Sequence, residues 1–185
     1  MPTSKGRAGP TINRCSFERR TYLLMGRLAR INAVIAVLAL LVLSAALAPT
    51  RSQALEGKQP DASLSPEAVV RIQMEALGMN DEPYADRGIE ITFRFASPSN
   101  KAFTGPLERF RTMIRGPVFA PMLNHKSVAY ENLQIDGGRA QVDVIVRTRE
   151  NRYIGYRFGL SQYSVPACEG CWMTDSVVPF EVTVS

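Results

Sequence analysis

The chain has 185 residues, 45% hydrophobic and 21% charged, with a net charge of +5; this composition fits one globular domain with a leader and excludes a fibrous or disordered protein. The charge is unevenly placed: residues 1 to 30 hold Lys5, Arg7, Arg14, Arg19, Arg20, Arg27 and Arg30 against Glu18 alone, a net +6, so the remainder carries −1. A nearly neutral domain has no electrostatic footprint for a phosphate backbone, which excludes nucleic acid as a partner.

The first element in chain order is the run "INAVIAVLALLVLSAALA", residues 31 to 48, which contains no charged residue. As a helix it would be about 27 Å long at 1.5 Å per residue, close to a hydrocarbon core of roughly 30 Å. Residues 1 to 54 therefore read as a basic N-region plus a signal or membrane-anchor segment. "RSQA" follows the run with Ser52 and Ala54 at the small-residue positions of a signal peptidase site, so Ala54 is the candidate cleavage residue. A retained anchor would tie the protein to the membrane through residues 31 to 48.

The long N-region has three readings: translation starting at Met25, a twin-arginine export signal in "ERRTYLL" with Arg19 and Arg20, or an organelle transit peptide. In each, the charge asymmetry keeps the basic end inside and sends residues 55 to 185 out. The expected location is the periplasm or an organelle lumen, or the membrane with the C-terminal domain outside.

Residues 55 to 64, within "LEGKQPDASLS", are polar with Gly57 and Pro60 and read as a linker. The folded domain is expected over 65 to 185. It opens on "SPEAVVRIQMEALGMND", where Ser65 suits an N-cap and Pro66 the first helical position, and Val69, Ile72, Gln73, Ala76 and Leu77 share one face. In "DRGIEITFRFASP" the alternation of Ile89, Ile91, Phe93 and Phe95 with Glu90, Thr92 and Arg94 predicts a strand over residues 86 to 98. "TGPLERFRTMIRGP" predicts a helix between two Gly/Pro signals. "KSVAYENLQI", "GRAQVDVIVRT", "RYIGYRFGLSQ" and "CWMTDSVVPFEVTV" then read as consecutive strands separated by turn signals. The fold class is α+β: N-terminal helices packed on a curved antiparallel sheet of four to five strands.

The stretches "PEAVVRIQMEALGMND", "FRFASPSNKAFTGPLERFRTMI", "APMLNH" and "CWMTDSVVP" resemble an uncharacterised domain-of-unknown-function family with a cystatin-like, SnoaL-like cone, the fold also called nuclear transport factor 2-like. The resemblance covers roughly residues 65 to 180. It implies a helix, not a strand, over residues 86 to 98. It implies no activity, because proteins with this cone include ligand binders, enzymes and dimeric interaction modules.

His125 is the only histidine, so a catalytic triad or a histidine-rich metal site would rest on it alone. Its simpler reading is a loop histidine bonded to the backbone. Asp175, by strict strand alternation, shares a face with Met173 and Val177, opposite Trp172 and Thr174. A carboxylate facing the interior would be a candidate general base; paired with Arg94 or Arg157 it would be structural. Arg94, Tyr156, Trp172, Asp175 and His125 together form the candidate ligand pocket. The aromatic residues more simply mean core. "DGG" lacks the strand-to-helix context of a phosphate loop, and "NDE", residues 80 to 82, reads as a solvated loop, so no cofactor and no metal are expected.

Cys168 and Cys171 flank "EG" before a strand. A thioredoxin-type pair would sit at a helix N-terminus, and a zinc site needs more ligands than Cys15 and one histidine add. A local disulfide, two free thiols and a redox switch stay open, with export favouring the bridge. Two functions follow. One is an exported binding or interaction module for a small hydrophobic ligand or a protein partner. The other is a SnoaL-like enzyme using Asp175 and His125 as acid and base on a small organic substrate. The scarcity of titratable groups favours the module over the enzyme. The strands carry apolar residues on both faces, which points to a homodimer through the outer sheet face.

Overall fold

The computed structural model describes residues 51–166 and 168–182. The apolar run at 31–48, Met25, the Arg19–Arg20 pair and Cys15 lie outside the described residues. Among those described, no helix is long and apolar enough to cross a membrane.

Among the described residues, five α-helices precede a four-stranded sheet: α1 Arg51–Glu56, α2 Pro66–Gly78, α3 Arg87–Arg94, α4 Pro98–Thr104 and α5 Leu107–Ile114, then a short 3-10 turn at Ala120–Met122. The strands are β1 Ser127–Asp136, β2 Arg139–Arg147, β3 Tyr153–Val165 and β4 Cys168–Phe180, in the order β1-β2-β3-β4, each antiparallel to the next. The expected α+β class and antiparallel sheet are therefore present, with the sheet open rather than closed. The β1–β2 hairpin turns at Gly137 and Gly138 between the paired Asp136 and Arg139, and Gly137 takes a positive φ of 56° that a side chain would resist.

The core lies between helices and sheet. Val142, Val144 and Val146 of β2 and Tyr156, Phe158 and Leu160 of β3 are buried against Val69, Val70, Met74 and Leu77 of α2. Asp143 and Arg157 alternate with them and pair on the other face, with Arg157 Nε and Nη2 donating to the Asp143 carboxylate at 2.8 and 2.9 Å.

Helix α2 begins as the sequence signals: the Ser65 hydroxyl accepts from Ala68 N, and Pro66 sits in the first turn. The same Ser-Pro signal recurs at α4, where Ser97 accepts from Asn100 N and Gly105 ends the helix at φ 84°. Sequence periodicity had not separated α4 from its surroundings.

Residues 87–94, expected as a strand from alternation, form helix α3, as the family resemblance implied. The alternation misleads because α3 is covered on most sides. Gly88 lies against the backbone of α2, with a Cβ there meeting Ala76 C at 2.7 Å and Asn80 Cα at 2.8 Å. Phe93 packs against Phe110 of α5 with ring centroids 5.0 Å apart and the planes tilted by 50°. Polar members survive in this setting as ion pairs: Arg87 with Glu56 at 2.6 Å and with Glu90 at 3.1 Å, and Arg111 with Glu90. Burial raises the Glu90 carboxyl, but hydrogen bonds from Tyr84, Arg87 and Arg111 outweigh it and hold that carboxyl below its usual range.

Of residues 55–64, expected as a linker, residues 56–59 and 61–63 are exposed. Leu55 is only 5% exposed and belongs to the core, and Leu64 packs against it. Arg94 donates to the Glu56 carbonyl at 2.7 Å, so two arginines of α3 grip this segment.

Candidate functional site

A cavity of about 250 Å³ opens between the helices and the last two strands. Its walls are mainly apolar, with Leu77 of α2, Phe110 and Ile114 of α5, Met122, Phe158 and Val177 among them, and Phe103, 83% exposed, stands among the lining residues. At one end are polar side chains that three different elements supply. Gln73 of α2 is 2% exposed; its Nε2 donates to the Thr92 carbonyl at 3.2 Å and its Oε1 accepts from Thr174 Oγ1 at 2.7 Å. Thr92 Oγ1 in turn donates to the Gln73 carbonyl at 3.4 Å.

The local fold explains why Thr174 is available there. Leu160 pairs with Thr174 and Gly159 with Ser176, so Asp175 is an extra residue in β4, a β-bulge. The bulge resets the alternation, placing both Thr174 and Val177 on the cavity side. On the other edge of β4 the chain leaving α3 runs alongside it: Thr174 N donates to Phe95 O at 2.9 Å, and Ser97 N to Thr174 O at 2.9 Å. This parallel bridge covers an edge that would otherwise expose unpaired backbone. Asn100 Nδ2 adds a bond to the Thr174 carbonyl at 3.1 Å.

The five residues nominated from sequence are not brought together. Asp175 lines the cavity, but its carboxylate accepts from Ser161 Oγ at 2.6 Å, Tyr163 Oη at 2.7 Å and Ser99 Oγ at 3.4 Å, not from an arginine. Strict alternation failed for it because of the bulge. Arg157 is committed to Asp143, and Arg94 to the Glu56 and Lys58 carbonyls. Tyr156 is a core residue whose hydroxyl donates to Val118 O at 2.9 Å, and burial pushes its phenol up to about 12. Trp172, in the first half of β4, belongs to the core and is not among the residues lining the cavity.

His125 lies elsewhere, in a groove of about 410 Å³ with Arg71, Glu75, Lys126 and Tyr130. Its Nδ1 donates to the Met122 carbonyl at 2.9 Å, its ring packs on Gly78, and burial lowers its basicity. Although this groove is the larger, Arg71, Lys126 and Ser127 on its walls are exposed, so it reads as solvated surface. Asp175 and His125 occupy separate cavities, so the structure does not assemble them as an acid/base pair. The "NDE" stretch is not simply solvated either: Asn80 is buried, its Oδ1 accepting from Ile89 N at 3.1 Å, and Asp81 bonds Asn124.

Cys168 and Cys171 are joined by a disulfide with Cα atoms 5.9 Å apart. The bridge spans Gly170, at φ 74°, where the β3–β4 pairing shifts register between Tyr163 and Val165. It thus staples an irregular strand start. No cluster of three or more potential metal ligands occurs among the described residues.

Residues 59–178 match the model of a family described as a domain of unknown function, DUF4864. The chain belongs to the DUF4864 family. No curated protein and no solved structure matches it. The DUF4864 span contains every lining residue of the cavity, from Gln73 to Val177, and the disulfide, whereas Leu55 and Glu56 lie just before it. Gln73, Thr92 and Thr174 were not nominated from sequence. The only signal was a glutamine on the apolar face of α2, a polar side chain where the periodicity calls for a hydrophobic one.

Proposed function

We propose that this DUF4864 domain is a binding module that holds a small, largely apolar molecule in the cavity between its helices and β4, within a cone of the cystatin-like kind. The observation that carries this reading is the lining itself: apolar walls, a few convergent polar groups and an exposed aromatic residue, the usual make-up of a small-molecule site. The charge asymmetry and apolar run of residues 1–54 support export to the periplasm or an organelle lumen, or anchoring in the membrane with the domain outside. The disulfide fits an oxidising compartment. Apolar side chains on the outer face, such as the exposed Val178, leave room for a homodimer or a protein partner there.

A thermal-shift screen of small neutral amphiphiles tests the reading. Binding raises the melting temperature of the wild type, and Val177→Trp, which fills the cavity from the β4 side, loses that response. A wild type that responds to none of them, or a Val177→Trp variant that responds equally, contradicts the proposal.

A further inference from the structure

Resting on that reading, we infer that the cavity selects a neutral ligand bearing a hydrogen-bond acceptor, such as a ketone, ester or amide carbonyl, over a carboxylate of the same chain length. Two observations carry this. The first is the Gln73 amide, which lines the cavity and is almost fully buried. Its Nε2 carries two N–H groups, and it makes one hydrogen bond, to the Thr92 carbonyl. The second N–H has no partner among the described residues. A buried donor left unpaired is costly, and an acceptor delivered by a ligand removes that cost. The Thr174 hydroxyl proton is already given to the Gln73 side-chain oxygen and the Thr92 hydroxyl proton to the Gln73 carbonyl, so of these three side chains the second Gln73 N–H is the donor left for a ligand.

The second observation is charge. Among the residues lining the cavity the one charged side chain is Asp175, and no lysine, arginine or histidine lines it. A carboxylate leaving water for this site would find no cation to compensate its lost hydration. The nearby basic groups are engaged elsewhere: Lys101 Nζ donates to the Arg94 carbonyl at 3.2 Å, and Arg94 to Glu56. Size sets the chain length. At roughly 30 Å³ per water-sized group the volume takes about eight non-hydrogen atoms, which is the scale of a medium-chain alkyl ketone.

Isothermal titration of the full chain with 2-octanone and with octanoate at pH 7.5 tests the inference. The expected result is saturable binding of 2-octanone, with octanoate at least about tenfold weaker, and a loss of roughly fivefold in 2-octanone affinity in Gln73→Leu, the equivalent of one neutral hydrogen bond. Should that variant not fold, the wild-type comparison decides alone. Octanoate binding as tightly as the ketone, or undiminished ketone binding by a folded Gln73→Leu, overturns the inference while leaving the binding module standing. Failure of both ligands to bind overturns the module reading and the inference with it.

Discussion

Thr174 Oγ1 donates to Gln73 Oε1 at 2.7 Å, closing a contact between the last strand and the second helix across 101 residues of sequence. The same threonine ties the chain after α3 to β4 through its backbone, so one residue joins helix, sheet edge and cavity. Replacing Thr174 with Val leaves a buried glutamine oxygen without its donor, which costs about 1–3 kcal/mol. Urea denaturation of Thr174→Val is expected to show this loss. The double variant Thr174→Val with Gln73→Leu should lose less than the sum of the singles, because removing both polar partners leaves no orphan.

The outer sheet face offers a second test. Asp143 is 3% exposed in its side chain and Arg157 is 49% exposed; the arginine's hydrogen bond holds the Asp143 carboxyl below its ordinary range, against the opposing effect of burial. Arg157→Met should lower stability measurably, by less than the loss of a fully buried pair because water screens the arginine. Since the folded carboxyl is the stronger acid, its contribution is present above the unfolded value of about 4 and fades as pH falls through the lower folded one. The variant's stability curve should be flatter than the wild type's over that acid range.

His125 acts in a different window. Burial lowers its basicity, with the Met122 carbonyl opposing in part, so the unfolded chain binds a proton that the folded chain resists. Stability is then full above about pH 6.5 and declines as pH falls below it. Urea midpoints at pH 7.5 and pH 5.5 should differ more in the wild type than in His125→Gln, and an identical difference in both would remove the histidine from this role.

Gly88 tests the helix packing. A methyl group there would strike the Ala76 carbonyl and crowd Asn80, neither of which is the flexible end of a side chain. Gly88→Ala should therefore destabilise by about 1–3 kcal/mol or more, despite alanine's better helix propensity, as read by thermal or urea unfolding.

Much of this architecture was legible from local chemistry. The Ser65-Pro66 cap, the Gly137-Gly138 turn and the valine alternation of β2 each act over a few residues, and each gave the element it signals. The failures share a cause in tertiary context. Helix α3 carries a strand's alternation because its neighbours cover most of its sides. The Asp175 bulge exists only by comparison with β3, so no reading of β4 alone could show that Thr174 and Val177 would face the same way. The candidate pocket names arginines and aromatics, whereas the polar end of this mainly apolar cavity is made by threonines, an asparagine and a glutamine whose importance lies in who bonds to them.

The most direct test of the binding module is methyl NMR of the full chain, labelled at methionine and isoleucine, during titration with 2-octanone. Met113, Met122 and Ile114 line the cavity, whereas Met74 is buried in the core outside its lining. The account requires saturable shifts at Met113, Met122 and Ile114 with Met74 little changed. Unmoved cavity methyls at ligand saturation, or shifts spread equally over Met74, would contradict it.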